Sequence, residues 1–129
     1  MLKYIKSPFI IKKVFINLLE KIKIYEGEYL NGIRNGKGKE YDLGYLFIFE
    51  GEYFNGKRNG KGKEYFDGKL IFEGEYLNGL RHGKGKEYDD DGKLKFEGEY
   101  LYGNRNGKGK EYFDGKLRFE GEYLNGKKL

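Results

Sequence analysis

An internal repeat with a period of 23 or 24 residues constrains the fold of this chain more than any other feature. The tetrapeptide Glu-Gly-Glu-Tyr begins at five positions: Glu26, Glu50, Glu73, Glu97 and Glu120. A second block, Gly-Lys-Gly-Lys-Glu-Tyr, follows ten residues later in every full copy, at Gly36, Gly60, Gly83 and Gly107. A fixed period of this length is typical of repeat proteins, in which each unit buries its faces against its neighbours.

The first block of each copy has the alternation of a β-strand. In the copy that begins at Phe49, this alternation places Phe49, Gly51 and Tyr53 on one face and Glu50 and Glu52 on the other, because successive side chains of a strand point to opposite faces. The pattern therefore predicts one face of aromatic rings and glycines, and a second face of charged side chains.

The second block predicts the returning strand of a hairpin. The connection 55–60 contains two Asn-Gly pairs, whose residues readily adopt positive φ in tight turns, and Asp67-Gly68 supplies the turn to the next copy. The simplest register sets lysines of the second strand opposite glutamates of the first. We predict nine strands, over residues 25–30, 36–41, 49–54, 60–65, 72–77, 83–88, 96–101, 107–112 and 119–124.

These residues resemble the MORN repeat, whose usual form is close to Tyr-x-Gly-x-Trp, then Gly-x-Gly, then Asp-Gly. The aromatic block matches at residues 25–29, 49–53, 72–76, 96–100 and 119–123, and the Gly-x-Gly step follows in the first four copies. Tyr stands where the family often has Trp, and Tyr102-Gly103 replaces one Asn-Gly pair. The resemblance covers residues 25–126 and implies an elongated single-layer antiparallel sheet of repeated β-hairpins, with four full repeats and a final half repeat.

Charge divides the chain at about residue 25. Residues 1–24 contain six lysines and one glutamate and so carry the whole net charge of +5. Residues 25–129, the repeat array, sum to zero and contain all 22 glycines. We therefore predict two parts, a basic amphipathic leader over 1–24 and a MORN-like repeat array over 25–129.

The leader has the spacing of a helix. Ser7-Pro8 is a helix-start signal, and the apolar residues that follow recur at i, i+3 and i+4, which predicts one helix near 8–22. Such a helix could cover the open edge of the first strand, dock a partner protein or lie on a membrane. The candidate contacts for a lipid or a partner are Lys3, Lys6, Lys12, Lys13, Phe15, Lys21 and Lys23.

Few residues of this chain are candidates for catalysis or metal binding. There is no cysteine, and the single histidine, His82, occupies a turn position where the other copies have asparagine. The run 89–91 of three aspartates lacks the alternate spacing of a calcium loop and is interpreted as a turn. The glutamates recur in every copy beside lysines, which indicates a solvated charged face. We therefore predict no enzymatic activity, no metal site and no cofactor.

The resemblance implies a non-enzymatic scaffold that binds other proteins. A second copy of the chain is an alternative partner, and so is an anionic membrane surface reached through the leader; the array could also be a recognition module of a larger protein. Nucleic acid is not expected, because the array is electrically neutral. We expect an intracellular location, cytoplasmic or peripheral to a membrane. The candidate interaction surface is the aromatic face: Tyr29, Tyr53, Tyr76, Tyr100, Tyr123, Phe49, Phe72 and Phe96.

Overall fold

A computed structural model describes residues 11–16, 22–42 and 46–129, which form one antiparallel sheet. The strands follow one another in the sheet in chain order, so every connection joins neighbours. Their bounds are β1 Ile11–Ile16, β2 Ile22–Leu30, β3 Ile33–Asp42, β4 Phe47–Phe54, β5 Lys57–Phe66, β6 Lys69–Leu77, β7 Leu80–Tyr88, β8 Leu94–Leu101, β9 Asn104–Phe113, β10 Lys116–Leu124 and β11 Lys127–Lys128.

The nine predicted strands are confirmed as β2 to β10, and most of them are longer than predicted. The returning strands β3, β5, β7 and β9 begin earlier than predicted because the first dipeptide of the connection, Asn-Gly in most copies, forms the whole turn. Asn55 and Gly56 have φ values of 53° and 86°, which is the pair of positive φ values that a two-residue hairpin turn requires. Tyr102 adopts a φ of 47° at the same turn position in the fourth repeat, a conformation that is uncommon for a bulky residue.

The second Asn-Gly pair lies inside a strand, where it forms a bulge. Between the pairs Gly51–Gly62 and Tyr53–Arg58, strand β4 contributes only Glu52, whereas β5 contributes residues 59–61. The glycine in this bulge, Gly60, has a φ of 101°. The hairpins β2–β3, β6–β7 and β8–β9 have the same irregularity. Because bulges bend a strand and increase its twist, we expect these four hairpins to be bent at the same place.

The predicted leader helix is not confirmed. Residues 11–16 form β1, which pairs with β2 from Ile11–Gly27 to Ile16–Ile22, while residues 8–10 and 17–21 of the predicted helix lie outside the described residues. The stretch contains several β-branched residues, which favour strands, and the edge of β2 offers backbone hydrogen bonds. The open edge of β2 is therefore covered by a strand and not by a helix. Since β1 belongs to the sheet, the division of the chain at residue 25 stays a prediction.

The core of this single sheet consists of aromatic rings packed on glycine. Four rings, those of Tyr25, Phe49, Phe72 and Phe96, are completely buried. The glycines that face one another on neighbouring strands form a row across the sheet: Gly27, Gly38, Gly51, Gly62, Gly74, Gly85, Gly98, Gly109 and Gly121. A Cβ atom on Gly85 would lie 2.6 Å from two ring carbons of Phe72. Only glycine therefore leaves room for the ring.

Arginine side chains cover the outer side of the same rings. The guanidinium carbon of Arg58 lies 4.2 Å from the centroid of the Phe49 ring, and that of Arg81 lies 3.9 Å from the centroid of Phe72. The Tyr76 ring packs edge-on against Phe49, with centroids 5.0 Å apart. Each ring is thus enclosed by glycine, arginine and tyrosine, and the aromatic face is buried without a second layer.

A bulkier residue in the glycine row should destabilise the sheet. A Cβ atom on Gly74 would lie 2.5 Å from the carbonyl oxygen of Lys84 and 2.9 Å from a ring carbon of Phe72. We expect Gly74→Val to lower the free energy of unfolding by about 1–3 kcal/mol, because the valine side chain overpacks this site. Chemical denaturation measures the change, with Lys86→Ala on an exposed side chain as the control. A Gly74→Val protein as stable as the wild type would contradict the packing.

Candidate functional site

The predicted aromatic surface lies in the core. All eight residues proposed for it are between 0 and 6% exposed, so these rings do not form an accessible surface in the part of the chain that the structure describes. Of the predicted leader contacts, Lys12, Lys13 and Phe15 lie in β1 and Lys23 lies in β2. Lys3, Lys6 and Lys21 are outside the described residues.

The opposite face of the sheet is concave and forms a groove across the strands. Its larger part has a volume of about 1110 Å³ and runs from Glu50 on β4 to Glu122 on β10, with glycines of the row along its floor. A second part of about 690 Å³ runs from Glu26 to Lys61. Both parts are lined by Glu50 and Lys61. The groove therefore extends along the whole repeat array.

The charges of the groove alternate from strand to strand. Strands β2, β4, β6, β8 and β10 each contribute two glutamates, and β3, β5, β7 and β9 each contribute two lysines. Within the hairpin β4–β5, Lys63 lies opposite Glu50, which confirms the predicted pairing at this position, whereas Glu52 lies in the bulge. The next strand, β6, also sets Glu75 opposite Lys61 and Glu73 opposite Lys63. Every charge in the groove consequently has strands of opposite sign beside it.

Most glutamates of the groove are held in place by hydrogen bonds. The backbone N–H of Lys84, in the bulge, donates to Oε1 of Glu75 at 2.9 Å, and the equivalent bonds to Glu28, Glu52 and Glu99 measure 2.7–2.8 Å. The Tyr88 hydroxyl donates to Glu73. These bonds fix the carboxylates without neutralising them.

The lysines of the groove are less constrained. Among the residues that the structure describes, no ion pair involves the six lysines of the larger groove: Lys61, Lys63, Lys84, Lys86, Lys108 and Lys110. Most acidic groups of the groove are therefore fixed, whereas its basic groups are adjustable.

A polar network on the aromatic face links each repeat to the next. The Tyr76 hydroxyl donates to Glu64, and Arg81 donates to the same carboxylate through Nε at 3.0 Å and through a terminal nitrogen at 2.9 Å. The arrangement of tyrosine and arginine recurs around Glu40 and Glu87, and around Glu111 Lys128 takes the place of the arginine. Sequence reasoning missed these glutamates, although alternation from Gly60 and Gly62 places Glu64 on the ring face.

Burial and these hydrogen bonds shift the pKa values of the network. Burial alone would raise the pKa of Glu87, but the hydrogen bonds from Arg105 and Tyr100 outweigh it, and the pKa lies below its ordinary value. Burial and the nearby Glu64 charge raise the pKa of Tyr76 well above its ordinary value. On the groove face, burial and the bond to Glu73 raise the pKa of Tyr88 to about 12. The network therefore favours ionised glutamates and neutral tyrosines.

A family model for the MORN repeat matches four segments of the chain: residues 25–42, 49–69, 72–93 and 96–116. The chain belongs to the MORN-repeat family. The residues after the last segment form β10 with a further Glu-Gly-Glu-Tyr block, which is a partial fifth repeat. A search of curated proteins found no match to this MORN-repeat chain.

No group of three or more histidine, cysteine, aspartate or glutamate side chains is arranged to hold a metal ion in residues 11–16, 22–42 and 46–129. Within the same residues, no helix has the length and hydropathy that crossing a bilayer requires.

The Glu87 network should make stability depend on acid pH. Because the pKa of Glu87 is lowered by folding, its contribution is present above the ordinary value of 4.5 and is lost as the pH falls through the lower folded value. We expect Glu87→Gln to cost about 1–3 kcal/mol near pH 7 and less at acid pH, since the charged hydrogen bonds are already weakened there. Denaturation at several pH values measures this, with the exposed Glu122→Gln as the control. An equal cost at all pH values would contradict the assignment.

Proposed function

We propose that the repeat array is a non-enzymatic scaffold that binds other proteins through the Glu/Lys groove. The observation that carries this proposal is the groove itself, which is open, crosses all the repeats and presents charged groups at regular intervals. Membership of the MORN-repeat family supports a scaffold role in general. A surface that repeats the same groups on every hairpin is suited to extended recognition.

The charge balance of the groove favours protein over nucleic acid as the partner. The larger part is lined by seven glutamates and six lysines, so a polyanion would meet as many repulsive as attractive groups. Phosphate backbones bind through uncompensated positive charge. A protein segment can present charges and apolar groups in a matching order, and this is the kind of complementarity that gives specific binding.

Attachment to an anionic membrane through the leader is the second candidate function. It is favoured by the net charge of +5 on residues 1–24, since each basic residue near an anionic bilayer contributes about 1 kcal/mol at most. The described parts of the leader, residues 11–16 and 22–24, lie in strands β1 and β2, so the contact with a membrane is not proposed through an amphipathic helix over these residues. With either partner, we propose an intracellular location in the cytoplasm or at the surface of a membrane.

One experiment with two variants of the full chain separates these functions. The groove variant neutralises two neighbouring strands by Glu73→Gln, Glu75→Gln, Lys84→Gln and Lys86→Gln, which keeps the glutamine acceptors for the Tyr88 and bulge hydrogen bonds. The leader variant carries glutamine at all six leader lysines: Lys3, Lys6, Lys12, Lys13, Lys21 and Lys23.

We expect the groove variant to lose protein partners and the leader variant to retain them. Partners captured from cells by affinity pull-down and confirmed by direct binding should bind the groove variant about tenfold more weakly. Co-sedimentation with anionic vesicles measures the second function, and only the leader variant should lose it. Capture of the same partners at equal affinity by both variants would show that the groove is not the binding surface.

A further inference from the structure

The charge pattern of the groove has a fixed period. Glutamate strands recur at every second strand, and neighbouring strands lie about 4.7–4.9 Å apart, so carboxylate pairs recur at intervals of about 9.6 Å. A polyproline II helix has three residues per turn and a rise of 3.1 Å per residue, which gives a period of about 9.3 Å. A partner in this conformation would therefore present every third residue to one carboxylate pair after another.

Other regular conformations match this period less well. Residues on one face of an extended strand recur at about 6.7 Å, which puts them out of phase with the groove after one repeat. The seven-residue period of an α-helix is about 10.5 Å, an excess of about 0.9 Å per repeat. For polyproline II the difference is only about 0.3 Å per repeat, so the register holds across the whole larger groove.

The length of the groove also suits an extended chain. Its larger part crosses six strand spacings from β4 to β10, a length of about 29 Å. At a rise of about 3.1 Å per residue, a polyproline II segment of about ten residues covers this length.

One pair of carboxylates in the groove, that of Glu73 and Glu75, is already ordered in a way that favours binding of a cation. Glu73 and Glu75 lie two residues apart on β6, and both line the groove over its glycine floor. Each is held by a hydrogen bond, from the Tyr88 hydroxyl and from the Lys84 backbone N–H respectively. Groups that are already ordered lose little freedom on binding. The adjustable lysines beside them, such as Lys84, can move aside for a bound cation.

A row of tyrosines runs alongside the groove. Tyr41, Tyr65, Tyr88 and Tyr112 occur once per repeat and are half-buried, and three of them donate a hydrogen bond to a groove glutamate. Their spacing is therefore the same as that of the carboxylate pairs. Proline-rich segments in the polyproline II conformation dock on aromatic side chains, so this row offers a surface for the residues between the cations.

We propose that the groove binds a proline-rich segment of a partner protein in the polyproline II conformation, with lysine or arginine at every third position. The proposal rests on the protein-binding function given above and names the partner class. Four carboxylate pairs on β4, β6, β8 and β10 require a segment of about ten residues, with its cations at positions i, i+3, i+6 and i+9. Proline at the intervening positions packs on the tyrosine row.

The first test compares two peptides of identical composition on the full chain. One is four repeats of Arg-Pro-Pro, and the other has its four arginines in one block followed by its eight prolines. Both have the same charge and the same number of prolines, and only the order of the residues differs. We expect the periodic peptide to bind at least about tenfold more tightly by fluorescence anisotropy. Equal affinities would overturn the proposal, and so would equally tight binding of four repeats of Glu-Pro-Pro.

The second test removes the charge of one carboxylate pair. Glu73→Gln with Glu75→Gln keeps the acceptors of both hydrogen bonds, and should weaken the periodic peptide about fivefold or more. Asp90→Asn with Asp91→Asn makes the same change of net charge in an exposed turn and should change the affinity less than about twofold. Equal effects of the two pairs would overturn the proposal. If the peptide does not bind but protein capture still depends on the groove, this inference is wrong and the proposed function stands.

Discussion

Every repeat of this sheet depends on the contact between an aromatic ring and the glycine of the next strand. Phe72 packs on Gly85 in the way that Phe49 packs on Gly62, at distances that leave no room for a Cβ atom. This contact places the ring flat against the backbone, where Arg81 can stack on its outer side. A ring enclosed in this way is removed from water by one layer of chain, so the protein needs neither a second sheet nor a packed helix to form a core.

The same contact separates the core from the candidate binding surface. The rings, arginines and the network around Glu64 occupy one face, whereas the groove glutamates and lysines occupy the other. Residues of the groove, such as Lys84, can therefore change without loss of core packing. Because the glycine row forms the floor of the groove, it also lets a ligand approach the backbone closely. Core packing and the proposed recognition thus belong to opposite faces of one sheet, and the period of the repeat sets the spacing of both.

Local patterns predicted the strands well, because alternation along 49–53 and the turn at Asn55-Gly56 depend only on neighbouring residues. The second Asn-Gly pair, at Asn59-Gly60, was assigned to the connection, since the dipeptide alone does not distinguish a turn from a bulge. The leader has the apolar spacing of a helix, yet residues 11–16 pair with β2 as a strand. The edge of β2 exists only once the sheet has formed, so the local pattern of the leader could not reveal this pairing. The burial of the rings was not predicted either. Arg58 covers the Phe49 ring only because the register of their two strands brings the side chains together, and alternation within one strand does not give this register. The groove could not be derived from alternation either, because alternation assigns residues to the two faces of a sheet and does not give its curvature.

A double-mutant cycle between Phe72 and Gly85 tests the ring-on-glycine contact most directly. In the wild-type background, Gly85→Ala introduces a methyl group 2.6 Å from the Cε1 and Cζ atoms of Phe72. Phe72→Leu removes both ring atoms, so the same alanine should cost less in that background. From the free energies of unfolding of the four proteins, we predict a coupling of about 1–3 kcal/mol, in the direction in which Phe72→Leu relieves the cost of alanine. Additive effects of the two substitutions would contradict the account.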